Sequence, residues 1–280
     1  LGAMSDFTKA NPAPWAPTAK QFANIFVREG VTKVGAAAFV NSTVGKFFLV
    51  EDKNFELNLL AFVSADGSVT NAPAASKFGV VDSKTGTAED AVAFGPKDST
   101  EFYPSVEVAL TYEGATPMQV LTLADVVARE KDYFTSIADQ TPYSKAMQGL
   151  LDEAFEKLDA ARNVMDVMSV QNEYAGKIEA QAEKDKTHEI EGTDITWRAL
   201  DGALVISGEG EMPDFVDPDF PAGAPWGTEI TSVKIGEDVT GIGAKAFAGS
   251  TSLSNVVVGA MTPPALGEDA LENVAEDLTI

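Results

Sequence analysis

No cysteine occurs in the 280 residues, and there is one histidine, His188. The first absence excludes disulfides, thiolate nucleophiles and every cysteine-ligated zinc or iron-sulfur centre, and it leaves the redox compartment open. The second removes metal sites built on paired histidines and reduces any Ser-His-Asp arrangement to a single candidate in a charged stretch. We therefore expect His188 to be non-catalytic. Positive charge is scarce too: 20 Lys and Arg stand against 43 Asp and Glu, a formal charge of -23. Such a surface repels phosphate backbones and anionic lipid, so neither nucleic acid nor a membrane surface is an expected partner. Cationic partners and divalent ions stay open, and the simplest role of the acidity is to keep the protein soluble. No apolar run approaches the roughly 18 to 20 residues that span a bilayer. Leu1 to Phe7 lacks the form of a signal peptide, so export requires a targeting segment outside this sequence.

What is present is ordinary globular material. Apolar residues make up 45% of the chain, which argues against wholesale disorder and, at this length, for two or three structural units. One pattern stands out. Val31-Thr-Lys-Val-Gly-Ala-Ala-Ala-Phe39 recurs as Val239-Thr-Gly-Ile-Gly-Ala-Lys-Ala-Phe247, with the Val-Thr, Gly-Ala and Ala-Phe pairs kept. Upstream of each lies a Pro-Trp pair, Pro14-Trp15 and Pro225-Trp226, and before that Met4-Ser-Asp-Phe7 matches Met212-Pro-Asp-Phe215. Ala61-Phe62 follows Phe39 by 23 residues and Ala270-Leu271 follows Phe247 by 24, the period of a leucine-rich-repeat coil. Each end thus reads as about two coils: runs such as Ser232-Val-Lys-Ile235 and Asn255-Val-Val-Val258 supply strands, glycine makes turns, and Phe39 and Phe247 point inward.

These residues resemble the BspA-like leucine-rich repeats of bacterial surface proteins. The resemblance is clear over 193–274, where Ile195-Thr-Trp197, Gly202-Ala-Leu-Val-Ile-Ser-Gly208, Gly210, Met212-Pro-Asp-Phe215 and Ala224-Pro-Trp226 form a lead-in to the repeat and Ser252-Leu253 follows it. It is weaker over 2–65, where the lead-in is truncated and Val50 to Leu60 departs from the usual spacing. The resemblance implies a right-handed solenoid, a place on the cell surface or outside the cell, and roles in adhesion or protein-protein contact. It implies no catalytic residue.

Between the repeats, Phe78 to Val81 and Ala91 to Phe94 read as short strands, and the alternation of Val106, Val108, Leu110 and Tyr112 predicts another, turned by Glu113-Gly114. Leu123, Val126, Val127, Tyr133, Phe134 and Ile137 then fall at helical spacing behind Thr122 as N-cap, with Asp125 as its capping partner. Thr141-Pro142 predicts the start of a second helix, striped by Met147, Leu151, Ala154, Leu158, Ala161, Met165 and Met168. The stripe thins past Val170, so Lys177 to Lys186 is expected to fray or project as a polar stalk. Asp139-Gln140 is expected to turn the two helices into a hairpin. The methionines suggest either an adaptable groove or core packing, and their spacing favours core.

Sites of chemistry are few. Gly208-Glu-Gly210 is no phosphate loop, since no Gly-Lys-Ser/Thr follows. Asp214, Asp217 and Asp219 crowd a loop of the oxygen-rich kind that can hold calcium, without EF-hand spacing; a solvated turn is the simpler reading. Asn41-Ser-Thr43 is a glycosylation triplet, and Trp15, Trp197 and Trp226 form either an aromatic platform or, for the two in Pro-Trp context, plugs of the solenoid end.

The expected fold is therefore α+β: an N-terminal repeat unit over 1–65, a mixed strand and loop segment over 66–116, a helical hairpin over 117–190, and a C-terminal repeat unit over 191–280. The expected function is non-catalytic recognition or adhesion through repeat surfaces, with no cofactor, metal or catalytic residue; the partners are other proteins or copies of this chain. A structural subunit of a surface filament or layer is the alternative, because about three stacked coils are normally needed and each end offers two. An open strand edge, as at Asp277 to Ile280, is a template for pairing, while processing of a longer chain is the competing account of such ends. A carboxylate-based hydrolase is a third, weaker possibility.

Overall fold

The computed structural model describes residues 2–8, 10–15, 21–28, 30–40, 43–50, 56–63, 74–82, 84–113, 117–216, 220 and 223–280. It divides into two compact units, one made of 1–136 with 153–175 and the other of 137–152 with 176–280. The architecture is mixed, with four α-helices and several sheets among the described residues, none closed into a barrel.

In the first unit the chain forms β1 (Gly2–Ala3), β2 (Gln21–Val27), β3 (Val31–Val34), β4 (Thr43–Val50), β5 (Glu56–Leu57), β6 (Phe78–Val81), β7 (Ala88–Asp90) and β8 (Ala93–Pro96). Helix α1 (Val106–Glu113), β9 (Met118–Leu121) and α2 (Leu123–Ile137) follow. Two sheets result, in the orders β2-β4-β6-β7 and β1-β3-β5-β9-β8. The pairs β2·β4, β4·β6, β1·β3 and β3·β5 are parallel, so successive turns of chain lay strand beside strand in the same direction. Inward residues stack accordingly: Phe47 lies face to face with Phe78 at 4.7 Å and edge-on to Phe39 and Phe62, and Phe78 meets Phe94 at 5.2 Å. Aromatic pairs in these geometries add to the burial of their large apolar areas.

The chain continues through α3 (Lys145–Asp159) and α4 (Val164–Asp185) into the strands of the second unit. These are β10 (His188–Glu189), β11 (Asp194–Leu200), β12 (Ala203–Glu211), β13 (Ser232–Ile235), β14 (Val239–Ile242), β15 (Asn255–Val258) and β16 (Ala265–Leu266). The order is β10-β11-β12-β13-β15, antiparallel as far as β12 and parallel beyond it; β12 also pairs with β14, which pairs with β16.

The duplicated sequence is a duplicated hydrogen-bond network. Trp15 Nε1 donates to the Ala38 carbonyl at 2.8 Å, and Trp226 Nε1 donates to the Ala246 carbonyl at 2.9 Å. The Ala36 amide donates to Asp6 Oδ1 at 2.8 Å, and the Ala244 amide to Asp214 Oδ1 at 2.7 Å. Phe7 and Phe215 amides donate to the Ala36 and Ala244 carbonyls, both at 2.9 Å, while Phe39 and Phe247 amides reach the Ala61 and Ala270 carbonyls, again both at 2.9 Å. Gly35 and Gly243 are kept for a steric reason. A Cβ there would sit 2.0 Å from the Ser5 carbonyl oxygen and 1.7 Å from that of Pro213, so the lead-in backbone passes where any other side chain would stand. Trp15 and Trp226 thus anchor the lead-in to the coil rather than plug an end.

Four sequence expectations change. Val106 to Glu113 is a helix, not a strand: Ser105 caps it, its Oγ accepting from the Val108 amide at 3.2 Å, and Val106 and Ala109 are its buried residues, one helical turn apart. The helical region holds α2, α3 and α4 rather than two helices. The break falls at Asn163, whose Oδ1 accepts from the Asp166 amide while the Asp166 carboxylate accepts from the Arg162 amide, a reciprocal cap that starts α4. That break turns Met165 out to solvent and leaves Met168 exposed, while Met147 is core. Ser144, not Thr141, caps α3, accepting from the Met147 amide at 3.1 Å. Finally, 177–185 is no fraying stalk. α4 runs to Asp185 with Ile178 and Asp185 buried, and the Asp185 carboxylate accepts from Ser144 Oγ at 2.6 Å. Thr122 and Asp125 do form the expected capping pair, each accepting from the other's backbone amide.

Candidate recognition surfaces

In a parallel ladder with one face packed on the core, the residues between the inward ones form rows across the outer face. In the first unit one row runs Phe26, Phe48, Gly79, Asp90 across β2, β4, β6 and β7. Phe26 and Phe48 stack face to face, 4.8 Å apart and 12° from parallel. A Cβ on Gly79 would meet the Phe48 ring at 3.1 Å, so the missing side chain is what lets the ring lie across β6. Lys46, one row away, sits 5.8 Å from the Phe48 ring and pairs with Asp90. Phe26 is 64% exposed, an unusual place for a phenylalanine that no packing demands.

In the second unit the row runs Arg198, Val205, Lys234, Val257 across β11, β12, β13 and β15. Arg198 is committed to structure. Its guanidinium donates to the carbonyls of Asp185 (2.6 Å), Pro142 (2.9 Å), Gln140 (3.2 Å) and Thr141 (3.4 Å), fastening the end of α4 and the 140–142 segment to the sheet. Val205, Lys234 and Val257 are exposed. Through the ladder registers, Phe26 corresponds to Lys234 and Phe48 to Val257. The hydrogen-bond network is therefore the same in both units, and the outward rows differ.

Two carboxylates come together at Tyr103. The Tyr103 hydroxyl lies 2.6 Å from Glu113 Oε1 and 2.8 Å from Glu101 Oε2, and burial together with these two carboxylates pushes the phenol's pKa up. One hydroxyl proton serves two acceptors, so the phenol is a poor acid in this setting.

The expected site residues are dispersed. Asp214 caps a backbone amide as Asp6 does, whereas Asp217 and Asp219 lie outside the described residues, as do Asn41 and Ser42 of the glycosylation triplet. Among the described residues no three His, Asp or Glu side chains are grouped to hold a metal. His188 stacks on Trp197 at 4.4 Å, and Trp197 is edge-on to Trp226, so these rings belong to the packing of the second unit. Gly208 sits at φ 112°, and a Cβ there would be 1.9 Å from the Asp194 carbonyl oxygen, a steric role in the β11–β12 hairpin. Two features escaped the sequence reading. The Phe26 and Phe48 pair lies 22 residues apart, inside the repeat period. Glu130 is 1% exposed, has no hydrogen-bond partner among the described residues for either carboxylate oxygen, and its pKa is pushed by burial up to about 7.

No family model matches the chain, and no curated protein matches it. A crystal structure of a leucine-rich repeat protein from Eubacterium ventriosum is similar to it, with 30% identity over 32% of this chain and 24% of that one, at a TM-score of 0.28. The similarity thus spans about a quarter of that protein's length and concerns a segment rather than a whole architecture. No helix among the described residues is long and apolar enough to cross a membrane.

Proposed function

We propose that this chain is a non-catalytic recognition protein of the BspA-like leucine-rich-repeat kind, acting at the cell surface or outside the cell, and that it binds other proteins through the outer rows of its parallel ladders. The observation that carries the reading is the contrast between the two units. The residues that clasp the lead-in, with their tryptophan and aspartate hydrogen bonds, are the same in both, while the solvent-facing positions hold Phe26 and Phe48 in one and Lys234 and Val257 in the other. A kept clasp carrying a solvent-facing row that differs is what recognition by a repeat surface requires. Exposed Phe26, stacked on half-buried Phe48, is an aromatic of the kind found at interface centres, and the lysine-aspartate pair beside it suits a polar rim.

The test is binding of the labelled chain to intact bacterial and host cells, comparing it with variants changed only on the rows, Phe26→Ser with Phe48→Ser and Val205→Ser with Val257→Ser. We expect saturable binding that at least one pair of substitutions lowers tenfold or more while the circular dichroism spectrum and melting temperature hold. Binding indifferent to both pairs, or no binding to any cell, overturns the reading. A self-assembling subunit is the second reading, favoured by exposed apolar residues on the last strands, Val257 on β15 and Leu266 on β16.

A further inference from the structure

A chain of formal charge -23 carries a cationic patch on the outer face of its β2-β4-β6-β7 sheet. The β4·β6 register pairs Phe47 with Phe78, so Lys77, one residue earlier, falls beside Lys46 in the row next to the Phe26 and Phe48 stack. On the other side of that stack, Arg28 follows Val27, which packs against the core, and so returns to the outer face. Arg28 and Lys77 are exposed, and neither has an ion-pair partner among the described residues. Lys46 is paired with Asp90, the one carboxylate that the registers place in these three rows. Two uncompensated cations therefore flank the aromatic row, one on each side. They are no part of the coil itself. Through the ladder registers the counterpart of Arg28 is Gly236 and that of Lys46 is Asn255, neither of them charged.

We propose that this face binds an extended acidic segment of a partner protein, which seats an apolar side chain on the Phe26 and Phe48 stack and brings one carboxylate to Lys77 and another to Arg28. With strands about 4.8 Å apart and a rise of about 3.3 Å per residue, Lys77 and Arg28 lie about 16 Å apart on a diagonal of the sheet, a span of about five residues of extended chain. The stack falls between them. The apolar contact takes an exposed phenylalanine out of water, and the flanking cations orient the segment and reject basic ones. Aromatic rings beside cations also suit anionic lipid or nucleic acid, but the charge of the rest of the chain repels an extended polyanion. A segment with two or three carboxylates meets the patch within a Debye length of about 8 Å, where the local cations outweigh the distant acids. The assignment rests on the recognition role proposed for the outer rows and adds to it the chemistry of the partner.

The probe is a phage-displayed library of random linear peptides, selected on the full chain and counter-selected on the variant carrying Phe26→Ser with Phe48→Ser. We expect the enriched peptides to carry two Asp or Glu residues about five positions apart, with an aromatic or aliphatic residue between them. A synthetic peptide of that consensus should bind saturably in fluorescence anisotropy, and more weakly as salt is raised. Arg28→Glu with Lys77→Glu should weaken it at least tenfold. Replacing the peptide's acids by their amides should do the same against the unchanged chain, where folding is not at issue. No enrichment, enrichment without acidic residues, or binding indifferent to both changes overturns the proposal. So does binding of phosphatidylserine vesicles that the Arg28 and Lys77 substitutions abolish, or a dimer of the free chain that they dissolve, since lipid or a second copy is then the occupant. Cell binding that is lost with the two phenylalanines but not with the two cations removes the acidic partner and leaves the recognition role standing. Acidic peptides that bind a chain to which no cell binds do the reverse.

Discussion

Replacing Glu130 by glutamine should stabilise the protein in a way that depends on pH. Glu130 lies on the buried stripe of α2, one turn from Val126 and one from Phe134, with neither carboxylate oxygen paired among the described residues. Burial favours the neutral acid, which raises its pKa from the ordinary 4.5 to about 7. Because the folded state holds the proton more tightly than the unfolded state, stability is full at pH values below 4.5, falls as pH rises from there, and levels off above about 7. At 1.36 kcal/mol for each tenfold change in proton affinity, the loss amounts to about 3 kcal/mol at pH 8. Glutamine mimics the protonated acid in shape and never ionises. The variant should therefore exceed the parent by under about 1 kcal/mol at pH 5 and by about 3 kcal/mol at pH 8. Urea unfolding followed by far-ultraviolet circular dichroism, to which the helices contribute most, measures both differences. The remaining carboxylates titrate equally in the two proteins and cancel in the comparison. A stability difference that stays constant between the two pH values would refute the assignment, because Glu130 would then be ionised, or neutral, throughout.

Two further outcomes follow from local geometry. Gly243→Ala should prevent the second unit from reaching its native packing, and Gly35→Ala should do the same for the first, since each added methyl collides with a backbone carbonyl at 2 Å or less; far-ultraviolet spectra and proteolysis of the two variants will show it. Thr122→Ala removes the hydroxyl that accepts from the Asp125 amide at 3.3 Å and should cost about 1 kcal/mol, read as a lower urea midpoint with unchanged slope.

The repeat was legible because its determinants are rare in type and fixed in spacing. A tryptophan that must reach one carbonyl, an aspartate that must reach one amide and a glycine that admits a crossing backbone segment leave the same marks each time. Strands Ser232–Ile235, Asn255–Val258 and Phe78–Val81 were readable for a related reason, as short apolar runs bounded by turn residues. Val106 to Tyr112 misled because every second residue in it is apolar, which satisfies a strand, while its buried positions, Val106 and Ala109, satisfy a helix; small Ala109 hid the second pattern. The break before α4 carried a signal in Asn163 and Asp166, masked by the continuity of the apolar stripe. The outer rows left no such mark. Phe26 and Phe48 look like core residues in a one-dimensional pattern, and only the ladder register shows that they face away from it. Glu130 was equally silent, since a glutamate in a helix is ordinary until its surroundings are known.

The paired networks also bear on how the chain reaches its fold. Asp6 closes on Ala36 and Asp214 on Ala244 across 30 residues each, and the tryptophans close across 23 and 20. Closing a loop of that length costs only slightly more than closing one half as long, because the entropy lost grows with the logarithm of loop length. Each turn of chain can therefore close onto the one beside it, and folding can propagate along the ladder from neighbour to neighbour. At each end the lead-in, with its tryptophan and aspartate, is synthesised before the coil it clasps. A growing chain thus holds the clasp ready when Ala36, and later Ala244, emerges.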